Sequence, residues 1–210
     1  SYSFDDAYYL TASYRRDGAS VFGADNKWGN FYAFGGAWRV THEKFMEKVR
    51  FLNDLKLKLS WGRNGNQGID PYGTLSEAVI GPGGGIAYPF GNSTVPSFGI
   101  KQNSLGNSGL GWETTNSWNF GFESAWLNNR LFVNMDVYLS RTTDQIFNRT
   151  IPSMTGFDSM KSTMGEVANR GVEFSIHSVN IENKDWRWDT NLTFWLNRNE
   201  LVHLYGEDLD

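Results

Sequence analysis

Between Trp118 and Arg141, large apolar residues recur at every second position. Trp118, Phe120 and Phe122 alternate with Asn119, Gly121 and Glu123. After Leu127-Asn128-Asn129-Arg130 the alternation resumes in the other phase. Leu131, Val133, Met135, Val137 and Leu139 share one face, and Phe132, Asn134, Asp136, Tyr138 and Ser140 share the other. Period-two alternation of this length predicts two β-strands with one apolar and one polar face. Each strand is about ten residues long, enough to cross a bilayer when tilted.

The same pattern recurs along the chain. Ser1 to Phe4 reads as the end of an earlier strand, turned by Asp5-Asp6-Ala7. Tyr8, Leu10, Ala12 and Tyr14 then oppose Tyr9, Thr11, Ser13 and Arg15. A polar loop over 16–30 leads to Tyr32, Phe34, Gly36, Trp38 and Val40 on the next outer face. Residues 41–54 break the pattern, and Phe45, Val49 and Leu52 have the spacing of a short helix. Leu55, Leu57, Leu59 and Trp61 alternate with Lys56, Lys58 and Ser60. Residues 74–80 form a further strand or part of an excursion, and Gly, Pro, Ser and Asn dominate 81–111. Residues 142–170 read as another long loop. Val172, Phe174 and Ile176 then alternate with Glu173, Ser175 and His177. Beyond a turn at 180–185, Trp186, Trp188, Thr190, Leu192, Phe194 and Leu196 oppose Arg187, Asp189, Asn191, Thr193, Trp195 and Asn197.

The connections sort by length. Long ones at 16–30, 62–115 and 142–170 alternate with shorter ones at 5–7, 41–54, 127–130 and 180–185. A soluble sandwich has no reason to place its long loops on one side; an outer-membrane barrel does. The fold class expected is all-β, an antiparallel transmembrane β-barrel segment of about seven to eight strands, with long extracellular loops and short periplasmic turns. An open sheet of this kind carries unpaired edges, so more strands are expected beyond it. The rival is a soluble carbohydrate-binding or glycan-degrading β-sandwich domain. In that case Trp118, Phe120, Phe122, Leu131, Val133, Met135, Val137 and Leu139 would be a buried core, not an exposed band.

Composition adds little against the barrel. Mean hydropathy is −0.47, which a barrel's lumen-facing residues explain. Aromatic residues reach 16% and Gly numbers 23, as interface girdles and tight turns require. A net charge of −4 gives no basic footprint for nucleic acid. Without Cys there is no disulfide framework or thiolate metal site. The chain starts at Ser1 with no signal-peptide pattern, which reads as a piece of something longer.

Candidate chemistry is sparse. Glu123, Asp136, Glu173 and Asp189 lie on polar strand faces, where a carboxylate pair could serve glycoside chemistry. The blander reading is a hydrated lumen wall, its charge matched by Arg15, Arg39, Lys56, Lys58 and Arg187. His42, His177 and His203 lack ligand spacing, so no metal or cofactor site is expected. Gly81-Pro82-Gly83-Gly84-Gly85 lacks the Lys-Ser/Thr of a phosphate loop. Tyr14, Trp38, Trp61, Trp118, Trp126, Trp186 and Trp188 are expected against lipid or at its interfaces. Tyr88, Phe90, Phe98 and Trp112 lie in or beside the long excursion. They either contact a ligand or lid through their rings or pack on one another within a compact loop.

Several stretches, in order, resemble the SusC/RagA family of TonB-dependent transporters. They are Tyr8-Tyr9-Leu10-Thr11-Ala12-Ser13-Tyr14-Arg15-Arg16-Asp17-Gly18, Trp38-Arg39-Val40 with Glu43-Lys44-Phe45, and Gly65-Asn66-Gln67-Gly68-Ile69. Gly111-Trp112-Glu113-Thr114-Thr115, Asn128-Asn129-Arg130-Leu131 and Gly165-Glu166-Val167-Ala168-Asn169-Arg170-Gly171-Val172-Glu173-Phe174 continue the series, and Asn197-Arg198-Asn199-Glu200-Leu201-Val202 completes it. The resemblance implies that residues 1–210 belong to one barrel domain, a C-terminal part of a 22-stranded barrel in the outer membrane of Bacteroidetes-type bacteria. It further implies a separate plug domain and TonB-contacting segment outside these residues, coupled to the TonB–ExbB–ExbD complex. A SusD-like surface lipoprotein would deliver oligosaccharides or peptides, and no residue here would perform bond chemistry.

Overall fold

The computed structural model describes residues 1–80, 87–88, 97–204 and 207–208, with backbone alone for 87–88, 97 and 207–208. The chain opens with β1 (Tyr2–Phe4), β2 (Tyr8–Gly18), β3 (Trp28–Arg39) and β4 (Leu52–Asn66). An excursion carries β5 (Glu77–Ile80), β6 (Ala87–Tyr88), β7 (Ser97–Phe98) and β8 (Ile100–Ser104). Then come β9 (Glu113–Trp126), β10 (Leu131–Thr150), β11 (Ser159–Glu182), β12 (Arg187–Leu204) and β13 (Glu207–Asp208). Among the described residues, β1-β2-β3-β4-β9-β10-β11-β12-β13 form one antiparallel nine-stranded sheet, with β5–β8 and β6–β7 as small separate pairs. The sheet has seven long strands, as expected, with a stub at each edge, β1 and β13. The sheet is open, with β1 and β13 at its edges.

Strand register aligns the alternating apolar residues into rows. Leu10 lies beside Gly36, then Leu59, Phe120, Val137, Val172 and Leu196 across seven strands. The next row toward the short turns runs Trp38, Leu57, Phe122, Met135, Phe174 and Phe194. Trp118, Phe120 and Leu139 are 52%, 51% and 54% exposed, so this face is not the core of a sandwich. In water it would be untenable; against acyl chains it is satisfied.

The buried apolar residues lie at the two ends. Ala19, Phe22, Phe31 and Leu110 gather where the long loops meet, and Ala7, Val40, Leu52, Ala125 and Val179 lie toward the short turns. At the loop end, Thr74 Oγ1 donates to the Val21 carbonyl (3.2 Å), Asn26 Nδ2 to Gly109 (3.1 Å) and Asn107 Nδ2 to Lys161 (2.9 Å). These bonds tie the 19–27 loop, the excursion and β11 into one layer. At the other end, Leu127, Asn128 and Asn129 take φ of 53°, 57° and 62° to close the tight turn. Arg130 then donates to the carbonyls of Val179 (3.2 Å) and Asn180 (2.7 Å).

Several expected boundaries are corrected. The 142–170 loop is mostly strand: Thr142 pairs with Val167 and Thr150 with Ser159, leaving 151–158 as the connection. Beyond the lipid both faces meet water, so backbone pairing persists while the alternation that reveals it disappears. The 16–30 loop shrinks to 19–27 for the same reason, with Gly18 paired to Trp28. The short helix expected from Phe45, Val49 and Leu52 is instead two 3-10 turns, Val40–His42 and Lys44–Met46, and Leu52 opens β4. Val40 leaves the outer strand face and is buried in the first of these turns.

Candidate functional site

Alternation in β3 sends Tyr32 and Phe34 outward and therefore Phe31 inward, where it is 5% exposed. Trp112, just before β9, sets its ring edge against Phe31 (centroids 5.4 Å) and tilts over Phe22 (5.5 Å). Its Nε1 donates to the Lys27 carbonyl at 3.3 Å. The excursion is thus stapled to the 19–27 loop. The staple needs glycine at 29, because a Cβ there would stand 2.5 Å from Phe31 Cζ and 3.2 Å from Trp112 Cε2.

Around this cluster opens a cleft of about 440 Å³ at the loop end. Its walls include Trp28, Trp112, Asn26, Asn30, Arg63 and Asp144. Asn30 Oδ1 accepts from Tyr14 Oη (2.9 Å), leaving its amide donors for a ligand. Asn26 spends one donor on Gly109 and keeps its carbonyl oxygen. Arg63 makes no ion pair among the described residues. Indole faces beside amide donors and acceptors suit a polar ligand with alternating apolar and hydrogen-bonding surface, such as a sugar ring or a peptide main chain. A second cleft, about 540 Å³, lies on the other side of Trp112, toward Arg16, Asp17, Asn66 and Gln67.

Of the four aromatic residues singled out in the sequence, Trp112 therefore lines both clefts, while its packing against Phe22 and Phe31 also satisfies the loop-packing alternative. Tyr88 lies on β6 and its backbone pairs with Ser97. Phe98 pairs with Ala87 and is 56% exposed, with no ring contact to Trp112. Phe90 falls outside the described residues. Missed in the sequence were Asn26, Asn30, Arg63 and Asp144, which are ordinary loop and strand residues until pairing brings them together. Phe31 did leave a trace: it is an aromatic on the polar phase of its strand.

The polar faces form a charge-matched wall. Lys58 Nζ stands 2.8 Å from Glu123 and 3.6 Å from Asp136, over the bare backbone of Gly121. Arg187 pairs with Asp189 (2.8 Å) and Glu182 (3.2 Å), Arg39 with Asp54 (3.1 Å) and Arg15 with Asp17 (2.7 Å). Lys56 lies over the Tyr9 ring at 4.7 Å. A shared ammonium between Glu123 and Asp136 suits a hydrated wall better than an acid–base pair. The histidines remain apart: His42 near Asp5 (3.5 Å), His177 bonded to Asn191 (2.7 Å) and His203 near Glu166 (3.8 Å).

An exposed apolar band with polar opposite faces describes a membrane barrel wall. The sequence profile of the "TonB dependent receptor-like, beta-barrel" family matches residues 1–208. The chain belongs to the TonB-dependent receptor β-barrel family. TonB-dependent receptor P39 of Formosa agariphila is 38% identical over 207 residues, 99% of this chain and 19% of that protein. TonB-dependent receptor SusC of Bacteroides thetaiotaomicron is 35% identical over 210 residues, 99% of this chain and 20% of that protein. The solved RagAB peptide transporter superposes with a TM-score of 0.83 at 31% identity, covering 97% of this chain and 22% of the transporter chain. This TonB-dependent receptor segment is thus of the SusC/RagA type and resides in the outer membrane. It spans about a fifth of the length of the curated relatives it matches.

Proposed function

We propose that this segment forms part of the wall and extracellular mouth of a TonB-dependent importer of oligosaccharides or peptides, served by a SusD-like surface lipoprotein. The observation that carries the proposal is the match to SusC and to a peptide transporter along nearly the whole chain, loops included. In this reading the wall is passive and no residue here makes or breaks bonds. Ligand is captured at the loop end, and a plug domain elsewhere in the protein, moved through TonB–ExbB–ExbD, lets it pass.

Trp112, with Tyr88, Phe90 and Phe98, is assigned to ligand or lid contact. The polar clefts beside Trp112 support this, since they lie on the side where ligand would enter. The test uses the full-length receptor with residues 83–103 deleted and, separately, Trp112→Ala. Uptake of labelled oligosaccharide and peptide is measured alongside lipoprotein co-purification, at equal outer-membrane levels. A loss of about tenfold or more in either readout is expected, the size of one good contact. Full transport and full lid binding in both variants would remove the assignment.

A further inference from the structure

The outward faces carry a feature that nutrient import does not use. Along the band, outward positions hold no charge until the extracellular edge. There, five of the seven long strands carry an arginine on the outward phase: Arg16 on β2 and Arg63 on β4, which also line the loop-end clefts, and Arg141 on β10, Arg170 on β11 and Arg198 on β12, which do not. Lys56 and Lys58 both lie on the lumen phase instead. The periplasmic edge of the same face is different: Tyr8, Trp38, Leu55, Trp126, Leu131 and Trp188 present aromatic and aliphatic surface and no cation. An aromatic belt suits any interface, whereas a one-sided arginine collar suits an anionic one.

The collar is densest over β10–β12. Arg170 and Arg198 are directly opposite in register, and Arg141 stands opposite Ala168, two residues farther along β11. Like charges in directly opposed positions repel unless something neutralises them. Among the described residues, two carboxylates face the three guanidinium groups. Glu166 pairs with Arg141, and Glu200 is shared by Arg170 at 3.5 Å and Arg198 at 4.0 Å. The three arginine side chains are 58%, 54% and 68% exposed, so most of their donors stay open.

A groove of about 380 Å³ runs between these groups. Trp118 and Leu139 line its apolar end, and Arg141, Arg170 and Glu200 its polar end. Apolar walls leading to a guanidinium pair match an acyl chain leading to a phosphate. Guanidinium binds phosphate oxygens in a two-point fork, which explains arginine in preference to lysine here. We propose that the β10–β12 arginines bind the phosphorylated headgroup of an outer-leaflet lipid, with its acyl chain along Trp118 and Leu139. The site rests on the outer-membrane location and is independent of what the receptor imports.

The test is native mass spectrometry of the full-length receptor in detergent, titrated with monophosphoryl lipid A and with the same lipid after phosphatase treatment. Binding of the phosphorylated form is expected, at least tenfold tighter than the dephosphorylated form. Combining Arg141→Gln, Arg170→Gln and Arg198→Gln should abolish that preference, while Arg187→Gln at the periplasmic end should keep it. Heat-modifiable gel mobility reports whether each barrel is folded. If the triple variant does not fold, the exposed single changes Arg141→Gln and Arg198→Gln carry the same comparison. An unchanged preference in folded variants, or equal binding of the dephosphorylated lipid, would overturn the proposal. Inorganic phosphate binding as tightly as the lipid would also overturn it, by making this a free-anion site.

Discussion

At the residue scale, Glu43 shows how little the short-turn side needs to anchor a strand pair. It sits between the two 3-10 turns and accepts hydrogen bonds from Tyr8 Oη and from Trp38 Nε1 (3.1 Å), two aromatic residues of the periplasmic edge. The Tyr8 hydroxyl, then the Trp38 indole, hold its carboxyl below the ordinary value. A depressed carboxylate stabilises the fold fully above its unfolded value, near ~4.3, and that contribution fades as pH falls through the lower folded value. The stability gap between the native receptor and Glu43→Gln should therefore be widest near neutral pH and narrow below about pH 4. Urea midpoints of the full-length receptor in vesicles, taken across that range, check it; a gap independent of pH would show that the charge contributes nothing. Neither partner was paired with Glu43 in the sequence reading, because the bond crosses 35 residues for Tyr8.

At the element scale, the β10–β11 hairpin shows what alternation can and cannot report. From Leu131 to Leu139 one face is apolar, and the strand is legible. From Thr142 to Thr150 the alternation is lost, with Ile146 and Phe147 adjacent among polar residues, yet the pairing to β11 continues with a bulge between Thr142 and Gln145. Backbone bonds do not depend on side-chain polarity, so a strand standing clear of lipid leaves no periodic signal. The lumen face of the same hairpin holds a close fit: Tyr138 is opposite Gly171 and lays its ring over it. A Cβ at 171 would meet the Tyr138 ring and, at 2.7 Å, the Leu196 carbonyl oxygen. At Gly35 on the same face of β3 the nearest atom would be 3.8 Å away. Gly171→Ala should cost about 1–3 kcal/mol by overpacking, and Gly35→Ala well under 1 kcal/mol. The difference is read from urea midpoints of the two folded receptors, and equal midpoints would contradict the fit.

At the scale of the whole molecule, the open sheet explains why this segment is a wall and not a domain. Among the described residues, β1 and β13 lie at open edges and nothing packs over the apolar band. Expressed alone, residues 1–210 should aggregate without detergent on size exclusion, and the parent receptor should need detergent throughout purification. A monodisperse, detergent-free segment would contradict the barrel. What the sequence determined by itself is which residues of the lipid-facing band are strand and which way each of those faces, because side chains alternate with period two and lipid demands apolar groups on one phase. Its sorting of connections into long and short holds only for the excursion over 67–112, since 19–27 and 151–158 are shorter than 40–51 on the other side. What the tertiary structure alone decided is everything that depends on register between strands. Trp112 against Phe22 and Phe31, Lys58 between Glu123 and Asp136, and Arg170 beside Arg198 all join residues from separate strands or loops. Alternation is a local property of each strand, whereas a site on a barrel is a row across strands, and only pairing sets one strand's residues beside another's.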